Sequence, residues 1–222
     1  MTEFSLRPRV ILFDLDGTLV DTAPDLAYAA NRVRAEADLP PLPVERYRPV
    51  ASAGARGLLK VGLDLAPDHP DYGARRESFL AHYRQHLARE SRLFAGMDAA
   101  LAAFESRDIA WGVVTNKPQW LTDPLIEQLG LDRRAAIVIG AMDGLAPKPA
   151  PDGLLRACHD LRVRAPDCVY VGDDRRDVVA ARAAAMPVIA AAWGYLGEGE
   201  RPEDWEADGV MQTPRELLRL CS

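Results

Sequence analysis

The chain has 222 residues, 48% of them apolar and 27% charged, with a net charge of −6 at pH 7. This length allows one large core with an inserted subdomain rather than two full domains, and mixed charge at this apolar content excludes a disordered chain. The acidic balance argues against nucleic-acid or membrane-surface partners, which an excess of Lys and Arg would attract, so a small anionic ligand would need a local basic pocket.

Met1–Pro8 is mixed and polar with no apolar leader, and no apolar run approaches the ~18 residues of a membrane span, so a soluble cytoplasmic protein is expected. Val10-Ile11-Leu12-Phe13 is a continuous apolar run ending at Asp14, which is how a strand buried on both faces of a parallel sheet reads. Asp14-Leu15-Asp16-Gly17-Thr18 follows, placing paired carboxylates where a strand runs into a glycine turn. Such groups serve as nucleophile, as acid and base, or as divalent-cation ligands. A calcium loop is excluded, because the position that must be glycine is Leu19. The plain alternative is an Asp-rich turn leading into a helix.

Thr22-Ala23-Pro24-Asp25 has the form of a capping box with proline in the first turn, predicting a helix over Asp25–Asp38 that Pro40-Pro41-Leu42-Pro43 ends. A second helix is predicted over Asp71–Arg89. About 90 residues separate the first strand from the next, far more than a crossover needs, so residues 21–91 read as a helical cap inserted into a core of residues 1–20 and 92–222. Within it Arg56, in Ala53-Gly54-Ala55-Arg56-Gly57, is expected to meet substrate: flanking glycines let a loop approach closely, and arginine grips a carboxylate with two bonds. Its alternative is an ordinary exposed loop arginine. His82 and His86 lie one turn apart but lack the Glu of a zinc helix, and read as solvated or packing residues.

Ile109–Val114, Ala135–Ile139, Cys168–Val171 and Pro187–Ala191 repeat the buried-strand pattern, with helices predicted over Asp98–Arg107, Gln119–Leu129, Pro151–Leu161 and Arg175–Ala185. The alternation predicts a doubly wound α/β sheet carrying its chemistry at the C-terminal strand ends. Thr115 and Asn116, just past the second strand, offer neutral hydrogen bonds to phosphoryl oxygens. Pro147-Lys148-Pro149 holds a lysine in an extended loop, where it is either solvated or set against phosphate charge. Gly172-Asp173-Asp174-Arg175-Arg176-Asp177 brings more carboxylates to the same edge, although acids at a helix start are common in their own right. Acids gathered at buried strand ends repel one another unless a divalent cation joins them, and oxygen-only ligands point to Mg²⁺ over Zn²⁺. Cys158, Cys168 and Cys221 form no CxxC pair and read as inert thiols of a reducing compartment. Trp111, Trp120, Trp193 and Trp205 are too scattered for a stacking platform, while Trp193 and Tyr195 fit a pocket rim.

The ordered set DxDGT, then Thr, then Lys, then GDxxxD resembles the haloacid dehalogenase superfamily over essentially the whole chain. DLDGTLVDTAPDL, SAGARGLL, LFAGM, WGVVTNKP, KPAP and VGDDRRD are similar to its bacterial phosphoglycolate phosphatases and N-acetylmuramic acid 6-phosphate phosphatases. The resemblance implies a Rossmann-like sheet in the order fifth, fourth, first, second, third predicted strand, with a helical cap of the C1 type. It implies Asp14 as nucleophile and metal ligand, and Asp16 as leaving-group acid with its backbone carbonyl on the metal. Asp173 would be the third protein ligand of Mg²⁺, Thr115 and Asn116 would hold the phosphoryl group, and Lys148 would offset its charge. Asp177 would support Asp173 or Lys148, and Asp174 is left without a role. Asp16 argues for phosphoryl chemistry, since dehalogenating members lack an acid there, and Gly172 favours a hydrolase over the mutases, which tend to carry Glu. Ala185 stands where relatives usually have Gly, at a helix end. A small phosphate ester is the implied partner of a monomer or small homo-oligomer. 2-Phosphoglycolate and N-acetylmuramic acid 6-phosphate both stay open as substrates, and a non-catalytic phosphate- or metal-binding regulator is the alternative of another class.

Overall fold

Residues 7–221 are described by a computed structural model. The first apolar run forms β1 (Val10–Phe13), buried at every residue. After a turn come β2 (Val20–Asp21) and a helical insert: α1 (Ala23–Ala35), α2 (Val44–Tyr47), a 3-10 helix over Arg48–Ala53, α3 (Gly54–Leu63) and α4 (Tyr72–Gln85). The chain returns through β3 (Arg92–Leu93), which pairs antiparallel with β2. There follow α5 (Met97–Glu105), β4 (Ala110–Pro118), α6 (Gln119–Gln128), β5 (Ile137–Ala141), α7 (Asp152–Leu161), β6 (Cys168–Gly172), α8 (Arg175–Ala183), β7 (Val188–Ala191) and β8 (Gly209–Met211), and Pro214–Cys221 forms a closing 3-10 helix.

The main sheet runs β5-β4-β1-β6-β7-β8 with every pairing parallel. The order of the five predicted strands is the one expected, and β8 adds an edge strand beyond them. Alternation along the strands explains the layering. Ile11, Phe13, Val169, Val171 and Ile189 face α5, α6 and the C-terminal 3-10 helix, whereas Val10, Leu12, Tyr170, Val188 and Ala190 face α7 and α8. A connection that leaves a parallel strand passes across one face and returns, so all strand C-termini open on one edge.

The insert has its own apolar centre, built from Leu26, Ala30, Val33, Tyr47, Leu58, Leu59, Phe79 and Tyr83. Arg34 is buried there with its guanidinium donating to the Pro40 and Gly62 carbonyls, which ties the end of α1 to α3. The expected capping box at Thr22 does not form. Thr22 Oγ1 donates instead to Asp16 Oδ1 at 2.6 Å, and Asp25 accepts from the Glu90 and Ser91 amides and the Ser91 hydroxyl. Both side chains thus fasten the insert to the strands that carry it. Arg56 lies in the first turn of α3 and not in a loop, so Gly57 serves packing: a Cβ there would meet the Val50 carbonyl. Ala185 adopts φ 53°, the left-handed conformation that follows a helix end, at a cost of ~1–2 kcal/mol relative to glycine. Trp120 is exposed at the start of α6 with the Arg84 guanidinium of α4 over its ring at 5.8 Å. His82 Nε2 donates to Glu36 Oε1, 2.7 Å away, while His86 packs edge-on against Tyr28. All three cysteines are free thiols.

Candidate active site

Asp14 directly follows β1, and its amide donates to the Val171 carbonyl at 2.9 Å, so the ladder with β6 continues through the residue and fixes its Cα. The chain then folds back: the Gly17 amide reaches the Val20 carbonyl at 3.0 Å, and the Val20 amide reaches the Leu15 carbonyl at 2.9 Å. Gly17 sits at φ 89°, and a Cβ there would run into the Asp173 carboxylate and the Tyr195 ring. Glycine is required on both counts.

One carboxylate oxygen each of Asp14, Asp173 and Asp177 lies within 4.8 Å of the others, and all three residues are buried. Lys148 enters this cluster from the loop between β5 and α7. Its ammonium stands 2.9 Å from Asp14 Oδ1, donates to Asp177 Oδ1 at 2.6 Å and to the Tyr170 hydroxyl at 2.8 Å. Tyr170 passes the chain on to the Val114 carbonyl at 2.7 Å. Burial opposes the lysine charge, but the Asp14 and Asp177 carboxylates more than offset it and hold the ammonium above its ordinary pKa. Asp173 is pushed up to about 8, first by burial and then by Asp14 and Asp177, against hydrogen bonds from Thr18 Oγ1 and the Tyr195 amide. Asp177 rises to about 6 for the same leading reason, with Lys148 pulling the other way.

Asp14 Oδ1 has no hydrogen bond, because the Lys148 contact is close but poorly aligned. An unbonded buried carboxylate oxygen beside two carboxyls that resist ionisation is compatible with a hard cation at this edge. The donors are all oxygens, as a hard divalent ion of that class requires.

Asp16 stands outside the cluster. Its carboxylate accepts from Thr22 and from the Lys117 ammonium, which lies 3.0 Å from Oδ1 and 3.1 Å from Oδ2. Thr115 is buried at the end of the regular β4 ladder. The Asn116 carboxamide donates to the Lys148 carbonyl at 2.9 Å and accepts from the Lys148 amide at 2.8 Å, so the side chain clamps the lysine loop, with one Nδ2 hydrogen and the backbone amide outside these bonds. Asp174 takes up the role the sequence reading left blank: with Asp177 it forms a capping box on α8 and also pairs with the Arg176 guanidinium at 2.8 Å. Gly172 precedes them because a Cβ there would collide with the Asp177 carboxylate.

A cavity of about 360 Å³ opens above this edge, walled by Asp14, Asp16, Thr115 and Lys148 below and by Ser52, Arg56, Arg76 and Tyr83 of the insert above. Ser52 Oγ donates to Asp173 Oδ2 at 3.1 Å, and Arg176 donates to the Ser52 carbonyl at 2.9 Å, so the insert is docked on the carboxylate edge. Ser52, Arg76, Tyr83, Lys117 and Arg176 were not singled out from sequence. Lys117 had a usable signal, since it lies two residues beyond Thr115 at the same strand end.

Residues 11–191 match the family described as haloacid dehalogenase-like hydrolase. A phosphoglycolate phosphatase of Xanthomonas campestris pv. campestris is 42% identical over 213 residues, 95% of each chain. An N-acetylmuramic acid 6-phosphate phosphatase of Pseudomonas aeruginosa is 37% identical, covering 96% of this chain and 94% of its own. Among solved structures, a predicted phosphoglycolate phosphatase of Haemophilus somnus superposes with a TM-score of 0.86 over 98% of this chain and all of its own, at 24% identity.

Proposed function

The chain belongs to the haloacid dehalogenase-like hydrolase family, and we propose that it is a magnesium-dependent phosphomonoesterase that forms a phospho-aspartate at Asp14, with 2-phosphoglycolate as its substrate. The observation that carries this reading is the convergence of Asp14, Asp173, Asp177 and Lys148 at one buried strand edge beneath a cavity lined by Asp16. Spontaneous cleavage of such esters is slow enough that enzymes supply up to ~10²¹-fold, so nucleophile, charge neutralisation and acid must act together.

In this reading Asp14 attacks phosphorus, the bond to the alkoxide oxygen breaks, and Asp16 gives that oxygen its proton. Asp16, now ionised, takes a proton from the water that attacks phospho-Asp14, and inorganic phosphate leaves with both carboxyl groups restored. Lys148 offsets phosphoryl charge and keeps Asp14 ionised, Thr115 holds a phosphoryl oxygen, and Asn116 and Asp177 keep Lys148 in place. Asp14, Asp173 and the Asp16 backbone would hold Mg²⁺, which when bound supplies the positive charge that Lys148 alone does not. Residues 21–91 act as the cap that excludes water, and Arg56 grips the substrate carboxylate.

Support for 2-phosphoglycolate comes from the phosphoglycolate phosphatases at about 40% identity. A second reading, N-acetylmuramic acid 6-phosphate, is favoured by a cavity within the ~300–1,000 Å³ range of sites for larger ligands and by the Pseudomonas relative. Comparison of kcat/KM on the two esters, with Mg²⁺ and with EDTA, tests both. Turnover undiminished by EDTA would overturn the metal assignment, and a preference for the sugar phosphate would overturn the substrate.

A further inference from the structure

Lys117 is a buried ammonium that the mechanism above does not use. Its side chain is 5% exposed, at the C-terminal end of β4 two residues past Thr115, where it meets Asp16 rather than the acids that Lys148 joins. Burying an ammonium costs several kcal/mol unless it is paired and hydrogen-bonded, so its partners define its purpose. There are two among the described residues: the Asp16 carboxylate, reached at both oxygens, and the Tyr83 hydroxyl at 2.8 Å. The lysine also lies 4.4 Å from the Tyr83 ring centre. Tyr83 itself is 1% exposed on α4, stacked on Phe79, and so belongs to the insert's apolar centre rather than to the core. Burial, with Asp16 and Asp25 nearby, keeps its phenol neutral and able to accept.

The link therefore runs insert, Tyr83, Lys117, Asp16. A second donor, Thr22 Oγ1, meets Asp16 from the base of α1 at 2.6 Å, but it sits at the root of the insert, where the strands tether it. Tyr83 sits on the helix that would travel with the insert. We propose that Lys117, braced by Tyr83, is a positioning residue that holds the Asp16 carboxyl toward the leaving-group oxygen, so that proton delivery is aligned only when the insert is docked. The inference rests on the reading of Asp16 as the leaving-group acid. One Asp16 oxygen carries the proton to the departing alkoxide while the other keeps accepting from Lys117. After transfer both oxygens are free to receive the ammonium, as found here.

The test compares kcat/KM, which reports steps up to release of the alcohol, on a short neutral alkyl phosphate and on 4-nitrophenyl phosphate. An alkoxide needs a proton and a nitrophenolate does not. General acid catalysis contributes ~10²–10⁴-fold, so Lys117→Met should lower the alkyl ester by ~10²-fold or more and the aryl ester by less than about tenfold. Tyr83→Phe, which keeps the buried ring, should shift the same ratio in the same direction by a few-fold. Neither ester carries a carboxylate, so a loss confined to 2-phosphoglycolate would make Lys117 a substrate ligand and overturn the proposal. Equal losses on both esters, or none, would also overturn it. If Lys117→Met does not fold, the Tyr83→Phe ratio decides alone. A wild-type enzyme that turns over neither ester would sink the phosphatase reading itself, an outcome distinct from the others.

Discussion

The strand edge and the helical insert are held on different terms. At the edge, Lys148, Asp177, Tyr170 and the Asn116 clamp join through contacts of 2.6 to 2.9 Å, with Tyr170 fixed in β6, Asp177 in the cap of α8 and the Lys148 loop by Asn116. The insert reaches that edge through separate polar contacts: Ser52 to Asp173, Arg176 to the Ser52 carbonyl, Tyr83 to Lys117, and Arg48 to Asp21. Its apolar centre is largely its own. Cooperative burial makes the edge rigid, whereas the insert is docked on it by a handful of hydrogen bonds, each worth ~0.5–1.5 kcal/mol net and exchangeable for bonds to water. On the proposed mechanism, chemistry sits where geometry is over-determined and ester selection where contacts are replaceable.

The contrast is broken most severely at Asp14. Asp14→Ala should remove at least ~10³-fold of kcat with the thermal melt intact, since no other carboxylate continues β1, and activity within tenfold of wild type would end the nucleophile assignment. Lys148→Met tests the rigidity itself. It leaves Asp14 and Asp177 without their shared cation, and urea unfolding should show a loss of ~3–5 kcal/mol, partly recovered with Mg²⁺. A loss under 1 kcal/mol would mean that the edge is not over-determined.

On the insert side, Arg56→Ala should leave the melt unchanged and cost ~10–100-fold in kcat/KM on 2-phosphoglycolate but little on 4-nitrophenyl phosphate. Arg56 is exposed in this structure, which sets the modest size. Equal losses on the two esters would make Arg56 a structural residue of α3.

The cation can be read without turnover. Asp173 and Asp177 are raised in the folded protein to about 8 and about 6 from 3.8. Carboxyls that bind protons more tightly when folded favour the folded state most at low pH, and that advantage is lost as pH rises through 6 to 8. On the proposed ligand set, Mg²⁺ at Asp14 and Asp173 would replace the proton of Asp173, so its Tm increase should be larger at about pH 8 than at about pH 5. A pH-independent shift would place the ion elsewhere. The smallest expected effect lies outside both regions: Ala185→Gly should raise stability by ~1 kcal/mol by relieving the left-handed alanine, with kcat unchanged.

The catalytic strands were legible because runs such as Val10–Phe13 are buried on both faces and carry no competing periodicity. β8 was not, since Gly209-Val210-Met211 is a short edge strand with half its surface open, and two-residue β2 and β3 leave no pattern at all. The site acids were visible as motif positions and the resemblance implied the pairing of Asp177 with Lys148, but the partners of Asp16 and Asp25 were not visible. Thr22 and Asp25 look like a local cap because sequence shows only neighbours, whereas their hydrogen-bond partners are Asp16 and the residues at 90–91. The clamp between Asn116 and a loop 32 residues on was invisible for the same reason. Lys117 was legible by position, two residues past Thr115, but its burial was not, because the tyrosine that covers it comes from the insert.

Trp120, exposed at the start of α6 with Arg84 of α4 poised over its indole, bridges the two regions from outside the cavity. Trp111 and Trp205 are buried, so a small collisional quencher reaches Trp120 first. The cation over the ring perturbs its field, and lifting the insert would remove that charge from one specific fluorophore. Stopped-flow emission from Trp120 therefore tests for such movement without any attached label: a change during a single turnover would show the insert lifting, and constant emission would show it staying docked.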